Sequence, residues 1–163
     1  MTIESQEPRL VLRFRDLSVA RGDTIKEHRV IIAREENCWW GWWSRAYELS
    51  PCGWLVPPTL PRTVYLFDTD QDRVYAAECA EIRCDEAELL SPAPLLTPDY
   101  YRNRRLKAWF RFTDVVAAEA QDILGRECQR TTASPEEIGW TAPDLHFIKS
   151  RPATMWLLGC EVE

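Results

Sequence analysis

Apolar and polar residues alternate with a period of two along much of this chain, which is the pattern of half-buried β-strands. Strands are predicted at residues 9–14, 38–43, 63–67, 73–77, 106–112, 144–149 and 154–162. The third and fourth strands flank an aspartate-rich turn and are predicted to form a hairpin. Elsewhere apolar residues recur every three or four positions, which predicts helices at residues 25–35 and 114–124. A capping serine with proline at the first helical position predicts another helix start at Ser134. The mixture favours an α+β fold.

The strand at residues 38–43, Cys-Trp-Trp-Gly-Trp-Trp, holds four of the eight tryptophans. Alternation puts Trp40 and Trp42 on one face with small or apolar neighbours, so they are expected in the core. Trp39 and Trp43 share the other face, ~13 Å apart, with Gly41 between them. A strand glycine often marks the close approach of a ligand, so we predict that a flat ligand rests on Gly41 against these rings. The alternative is that all four rings are core residues, because aromatic residues are favoured in strands.

A proline-rich stretch at residues 50–61 follows the tryptophan strand. Proline is confined to strand edges and turns, so the stretch is predicted to be a long loop, and long loops in compact domains are usually functional. Trp54 lies near its centre, where it is placed to close over a pocket fronted by the tryptophan strand. Trp54 equally fits a second role, in which its ring pins the loop to the body of the domain.

Basic residues concentrate in one stretch, residues 100–112, where they are interleaved with aromatic residues. Nucleic-acid grooves use cations to contact phosphates and aromatic rings to stack on bases. The second half of the stretch is predicted to be a strand with an apolar inner face and a cationic outer face that carries an exposed Trp109. The predicted phosphate-contacting residues are Arg104, Arg105, Lys107 and Arg111. The alternative is a solvated edge strand whose charged side chains prevent pairing with another chain, which explains the same pattern without a ligand.

The length of 163 residues fits a single domain over residues 1–163, with a flexible polar N-terminus at residues 1–8. The formal net charge of −6 argues against a protein that coats nucleic acid through bulk electrostatics. No apolar run approaches the ~20 residues that span a bilayer, so no membrane partner is expected. The polar start does not resemble a signal peptide, and the expected location is the cytoplasm.

Phosphate-loop, nucleophile-elbow and zinc-ligand motifs do not occur in the chain. Two histidines and six scattered cysteines provide no metal-ligand spacing, so no metal site and no cofactor are predicted. The cysteines are expected to be reduced and mostly buried. No catalytic residue is predicted, and binding is favoured over the remaining enzymatic alternative, a pair of carboxylates brought together by the fold.

The order of these elements resembles the PUA-like superfamily and, within it, the EVE and YTH domains. The matching elements are the strand to Phe14 with the helix from Ile25, then residues 39–43, 64–67, 73–77 and 108–112. The resemblance implies a small mixed β-barrel with flanking helices. It also implies a reader of modified bases, typically in an aromatic cage, that often serves as the sensor of a larger system. The walls of that cage would come from Trp39, Trp43, Trp54 or Trp109.

The residues and the resemblance together predict a module that binds a flat ligand, a modified base or nucleotide that is free or part of nucleic acid. The predicted ligand-binding residues are Trp39, Gly41, Trp43, Trp54 and Trp109. The predicted partners are nucleotide or nucleic acid and, through a sensor role, an effector domain or partner protein. The alternative function is a protein-interaction or regulatory domain whose exposed tryptophans and arginines form a binding hot spot.

Overall fold

The structure is a computed structural model that describes residues 9–15, 24–42, 62–99, 102–125, 127–130, 140–141, 143–149 and 155–157. Eight strands and two α-helices lie within these ranges. The strands are β1 (Arg9–Phe14), β2 (Cys38–Trp42), β3 (Thr63–Asp68), β4 (Arg73–Leu89), β5 (Leu106–Ala118), β6 (Glu127–Arg130), β7 (Trp140–Thr141) and β8 (Met155–Leu157). The helices are α1 (Thr24–Glu35) and α2 (Leu145–Lys149), and short 3₁₀ turns occupy Pro94–Leu96 and Ala120–Asp122.

The strands join one mixed sheet in the order β2-β5-β4-β3-β1-β8-β6-β7. β1 and β3 pair in parallel, while the other neighbouring strands pair antiparallel. Within the described ranges the sheet is open, with β2 and β7 at its two ends. The expectation of a closed β-barrel is therefore wrong for this part of the chain, because closure requires the two end strands to pair with each other.

β3 and β4 form the predicted hairpin, with its turn at residues 69–72. Asp68 is buried at the end of β3. Its Oδ1 accepts hydrogen bonds from the backbone N–H groups of Asp70 at 2.9 Å and Gln71 at 3.2 Å. The Asp68 carboxylate thus binds the backbone N–H groups of the turn that follows it. These hydrogen bonds replace the pairing between strands, which explains why β3 ends at Asp68.

The segment predicted as a helix at residues 114–124 is a strand as far as Ala118. β5 continues to Ala118 because its second half pairs with the start of β4, where Ala118 lies opposite Val74. Pairing with a neighbouring strand and burial of Val115 outweigh the local helical spacing. A helical conformation remains only in the 3₁₀ turn at Ala120–Asp122.

The strand predicted at residues 144–149 is wrong, since these residues include helix α2. Its Ile148 is buried and joins a cluster with Val11 on the sheet, so the short helix covers part of one sheet face. The strand predicted at residues 154–162 is confirmed where it is described, as β8. The helix predicted from Ser134 lies outside the described residues.

The main hydrophobic core lies between the sheet and α1. It includes side chains from β1, β2, β3, β4 and β5 together with Ile25 and Ile31 of α1. The opposite sheet face buries two smaller clusters, one that includes Ile148 of α2 and one formed by Trp39, Leu106 and Trp109. Neither described helix has the length and apolar sequence needed to cross a membrane.

Candidate functional site

The predicted ligand platform of Trp39, Gly41 and Trp109 is a packed hydrophobic cluster. Gly41 pairs with Trp109 across β2 and β5, and a Cβ atom at Gly41 would lie 3.0 Å from Trp109 Cζ3 and closer still to Leu106 Cδ1. The protein's own side chains therefore fill the space above the glycine. Trp39 is 3% exposed and Trp109 is 0% exposed. The expectation of an open surface at these residues is wrong, because the glycine accommodates a neighbouring indole.

Trp109 is fixed by its ring nitrogen as well as by burial. Its Nε1–H donates a hydrogen bond to the Leu89 carbonyl oxygen at 2.9 Å. Its ring packs with Leu106, and the partly buried Ala93 and Leu96 pack against this cluster. The prediction that Trp109 is exposed is therefore wrong, because the segment that follows β4 covers this side of β5.

Trp40 lies in the main core, as its strand face predicts. Its ring contacts that of His28 at a centroid distance of 4.4 Å and that of Phe14 at 5.3 Å. His28 Nδ1–H donates to the Thr24 carbonyl oxygen at 2.7 Å. Burial lowers the pKa of His28 from 6.5 to about 4, and the Thr24 hydrogen bond opposes this shift without reversing it. At neutral pH His28 is therefore an uncharged packing partner of Trp40.

Trp42 shares the core-facing side of β2 with Trp40, but its ring nitrogen is in a different situation. The residue is 9% exposed, and its buried Nε1–H meets no hydrogen-bond acceptor among the described residues. Leaving a buried donor unpaired costs about 1–3 kcal/mol, and nearly all such groups in proteins are paired. Trp42 ends β2 and immediately precedes Trp43 in sequence. It therefore presents, at the end of the aromatic strand, a donor that no described residue accepts.

Trp43 and Trp54, the other two predicted ligand-binding residues, lie outside the described part of the chain. Their roles remain predictions from the sequence. The structure places the other three, Trp39, Gly41 and Trp109, and brings them together as packing partners.

The four predicted phosphate-contacting residues lie at the start of β5 and along one of its faces. Arg104 and Arg105 are exposed just before the strand. Lys107 and Arg111 are half-buried, and strand alternation puts them on the face that also carries Trp109. The structure therefore brings these cations to one end and one side of β5.

The second half of β4 offsets much of this positive charge. Residues 85–88 include three carboxylates and are exposed. They form an irregular segment between Cys84 and Leu89, where the pairing of β4 with β5 is interrupted, and this segment lies beside Lys107. The basic residues that cluster in sequence are mixed with acidic residues in space, so these strands do not form the continuous positive surface of a groove for long nucleic acid.

Glu81 and Arg83 also belong to this surface, although neither is among the site residues predicted from the sequence. Glu81 Oε1 lies 3.4 Å from Arg83 Nη2, and Glu81 Oε2 lies 3.5 Å from Arg111 Nε. The Arg83 guanidinium carbon lies 5.6 Å from the centre of the Trp39 ring. Alternation along β4 puts Glu81 and Arg83 on one face, but only the register of β4 with β5 brings that face to Arg111.

Other reactive groups in the described ranges have structural roles. Cys38 and Cys79 are free thiols, and burial raises the pKa of each to about 12, which agrees with the expectation of reduced, buried cysteines. Among the residues whose burial the structure describes, Asp68 is the one buried carboxylate, so these residues contain no buried carboxylate pair. No group of three or more histidine, cysteine, aspartate or glutamate side chains there is placed to hold a metal ion.

Comparison with known proteins identifies the domain rather than its ligand. No curated protein and no solved structure matches the chain. A family model described as Pua-like matches residues 10–133, from β1 through β6. Domains of this kind typically bind RNA or another nucleic acid. Because the match covers most of its 163 residues, the chain belongs to the Pua-like family.

Proposed function

We propose that this chain binds nucleic acid and recognises one base of it beside Trp42. The family supports binding to nucleic acid. The observation that carries base recognition is the buried Trp42 Nε1–H, which no described residue accepts. The favoured ligand is a nucleotide, free or within a strand. A modified base is the leading candidate, as the resemblance to the EVE and YTH domains implies.

An indole N–H donates hydrogen bonds and accepts none. The ligand atom that meets Trp42 is therefore an acceptor, either a carbonyl oxygen or an unprotonated ring nitrogen of a base. Such a bond would satisfy a buried donor that no described residue accepts, which favours the bound state by about 1–3 kcal/mol. A base that presents an amino group at the same position would be rejected, because two donors would face each other.

Stacking would supply the second part of base recognition. An aromatic side chain that stacks on a base contributes about 1–3 kcal/mol. Trp43 and Trp54 are the stacking residues in this proposal, on the basis of sequence. Trp39 and Trp109 are not assigned to stacking, because both are buried in their own cluster.

The distribution of charge favours recognition of one nucleotide over coating of a long strand. Lys107 lies beside the carboxylates of residues 85–88, and Arg111 is paired with Glu81, so few phosphates would be neutralised. Affinity for nucleic acid falls with salt in proportion to the number of neutralised phosphates. We therefore expect a shallow dependence on salt, with a slope of about −2 or less in magnitude when log K is plotted against log salt concentration.

The protein-interaction alternative requires exposed tryptophans as hot spots. The tryptophans whose burial the structure describes are all buried, and they are Trp39, Trp40, Trp42 and Trp109. None of these four tryptophans offers the exposed surface that this alternative needs, and nucleotide recognition is the function that we favour.

The test is fluorescence anisotropy of labelled short oligonucleotides, single- and double-stranded, plain and base-modified, at low salt. Trp42→Phe keeps an aromatic ring and removes the N–H, so its affinity should fall about tenfold, which corresponds to 1.4 kcal/mol. Trp109→Phe is the matched control and should keep the affinity of the wild type when the fraction of folded protein is taken into account.

Two results would count against this proposal. If wild-type protein binds none of the oligonucleotides, the nucleic-acid function fails and a protein partner becomes the leading alternative. If Trp42→Phe binds as tightly as the wild type, nucleic-acid binding stands, but base recognition does not involve the Trp42 N–H.

A further inference from the structure

We propose that Arg83 and Arg111 form a binding site for a single phosphate group, which Glu81 occupies in the unliganded protein. The proposal rests on the proposed nucleic-acid function for the source of the phosphate, a nucleotide or a strand. It adds a specific anion site and an internal competitor for it. Of these three residues, only Arg111 is among the phosphate contacts predicted from the sequence.

The two arginines converge on one carboxylate. Glu81 pairs with Arg111 across β4 and β5, and Arg83 follows on the same face of β4. The two carboxylate oxygens are divided between the cations, with Oε1 at 3.4 Å from Arg83 Nη2 and Oε2 at 3.5 Å from Arg111 Nε. The Glu81 carboxylate thus occupies the position between the two guanidinium groups. A phosphate also carries anionic oxygen atoms, and they are spaced more widely than those of a carboxylate.

Trp39 holds Arg83 in a position to bind an anion. The Arg83 guanidinium carbon lies 5.6 Å from the centre of the Trp39 ring, which is within the range of a cation–π interaction. Trp39 is itself opposite Arg111 in the pairing of β2 with β5. The buried indole therefore forms a rigid base under one cation beside the second, while the Arg83 side chain remains 54% exposed.

Glu81 is placed to be displaced at low cost. Its contacts to the arginines are single and long, and its side chain is 36% exposed. Ion pairs this exposed contribute little to stability, because water screens them and flexible side chains must be ordered. Arginine binds phosphate through a planar fork of N–H groups, so a phosphate with two charge-assisted contacts replaces a weak internal pair.

The surroundings restrict the site to one phosphate. Residues 85–88 continue β4 with three carboxylates, which repel any second phosphate on that side. A single phosphate anchor fits a nucleotide, or one phosphate of a strand.

The experiment uses Arg83→Gln, Arg111→Gln and Glu81→Gln in the full chain, with circular dichroism to confirm folding. Arg34→Gln is the matched control, since Arg34 forms an exposed ion pair with Glu35 on α1. With an oligonucleotide that wild type binds, each site arginine variant should lose about tenfold in affinity and reduce the salt slope by about 1. Glu81→Gln should bind about threefold or more tightly, since the internal competitor loses its charge. Arg34→Gln should match the wild type.

Inorganic phosphate, which carries no base, separates this proposal from the proposed function. Its binding is followed through the arginine Nε–H resonances, and it should be tightest in Glu81→Gln and weakest in the two site arginine variants. If oligonucleotides do not bind but inorganic phosphate shows this order, the nucleic-acid function fails and the phosphate site stands. If oligonucleotides bind and the three variants match Arg34→Gln, the phosphate site is overturned. If neither probe binds, both proposals are overturned.

Discussion

Trp109 and Trp42 are buried tryptophans on neighbouring strands, and they differ in what their ring nitrogens do. Trp109 lies on the face covered by the segment after β4 and donates its N–H to the Leu89 carbonyl. Trp42 lies on the face covered by α1, and its N–H meets no acceptor in the described part of the chain. Burial alone does not separate the two residues, since both are at most 9% exposed. The state of the N–H does separate them.

This difference shows that density of tryptophan is a poor guide to a binding site. Trp39, Trp40 and Trp109 fill space between strands or under α1. Among the four tryptophans whose burial the structure describes, only Trp42 has a buried ring N–H that no described residue accepts. A buried donor without an acceptor has a cost to the folded state, and a ligand that supplies the missing partner removes that cost.

The largest expected effect is a difference in the free energy of unfolding between Trp109→Phe and Trp42→Phe. Trp109→Phe should lower the free energy of unfolding by about 3 kcal/mol, because it loses ring volume and leaves the Leu89 carbonyl without its donor. Trp42→Phe loses a similar volume but removes an unpaired donor, so its loss should be smaller by about 1–3 kcal/mol. Urea denaturation of both variants measures the difference. Equal losses of stability would contradict the difference between the Trp42 and Trp109 ring nitrogens.

Filling the gap at Gly41 tests the packing of the Trp109 side. Gly41→Ala should destabilise the protein by about 2 kcal/mol through overpacking against Leu106 and Trp109. Adding Leu106→Ala makes room for the new methyl group, so the double variant should be more stable than the two single losses predict. A double-mutant cycle from urea midpoints checks this coupling. Strictly additive losses would mean that the methyl group does not meet Leu106.

The smallest effect concerns the α1 side, where His28 packs on Trp40. The folded pKa of His28 is about 4, below its ordinary 6.5, so folding favours the neutral ring. Its stabilising contribution is complete above pH 6.5 and is lost as the pH falls toward 4. The expected loss is about 1 kcal/mol between about pH 7 and about pH 5.5.

This pH dependence is isolated by comparing two histidine variants. His28→Gln should lack the loss that wild type shows in this pH range, whereas His146→Gln, at an exposed position, should retain it. Stability measured by urea denaturation at the two pH values is sufficient. A His28→Gln variant with the pH dependence of wild type would show that His28 is not buried as a neutral ring.

Local patterns predict the strands and the orientation of several core residues. Alternation within β2 places Trp40 and Trp42 toward the core, and the structure confirms it. The hairpin of β3 and β4 follows from apolar strands around an aspartate-rich turn. These features depend on residues close together in sequence, which is why the chain alone predicts them.

Features that depend on which strands are neighbours are not predictable in this way. When β2 is considered alone, Gly41 leaves a gap between Trp39 and Trp43, but Trp109 of β5 lies directly opposite and fills it. Likewise Glu81 and Arg111 meet only through the register of β4 with β5. The helix predicted at residues 114–124 fails for the same reason, since pairing with β4 overrides the local spacing.

The most direct test of base recognition is the indole ¹H–¹⁵N spectrum of the protein during titration with an oligonucleotide that binds. Trp42→Phe and Trp109→Phe assign the two resonances of interest. The Trp42 N–H resonance should move downfield to saturation as it gains an acceptor, while that of Trp109, already bonded to Leu89, should stay in place. A bound complex in which the Trp42 resonance does not move would contradict the account.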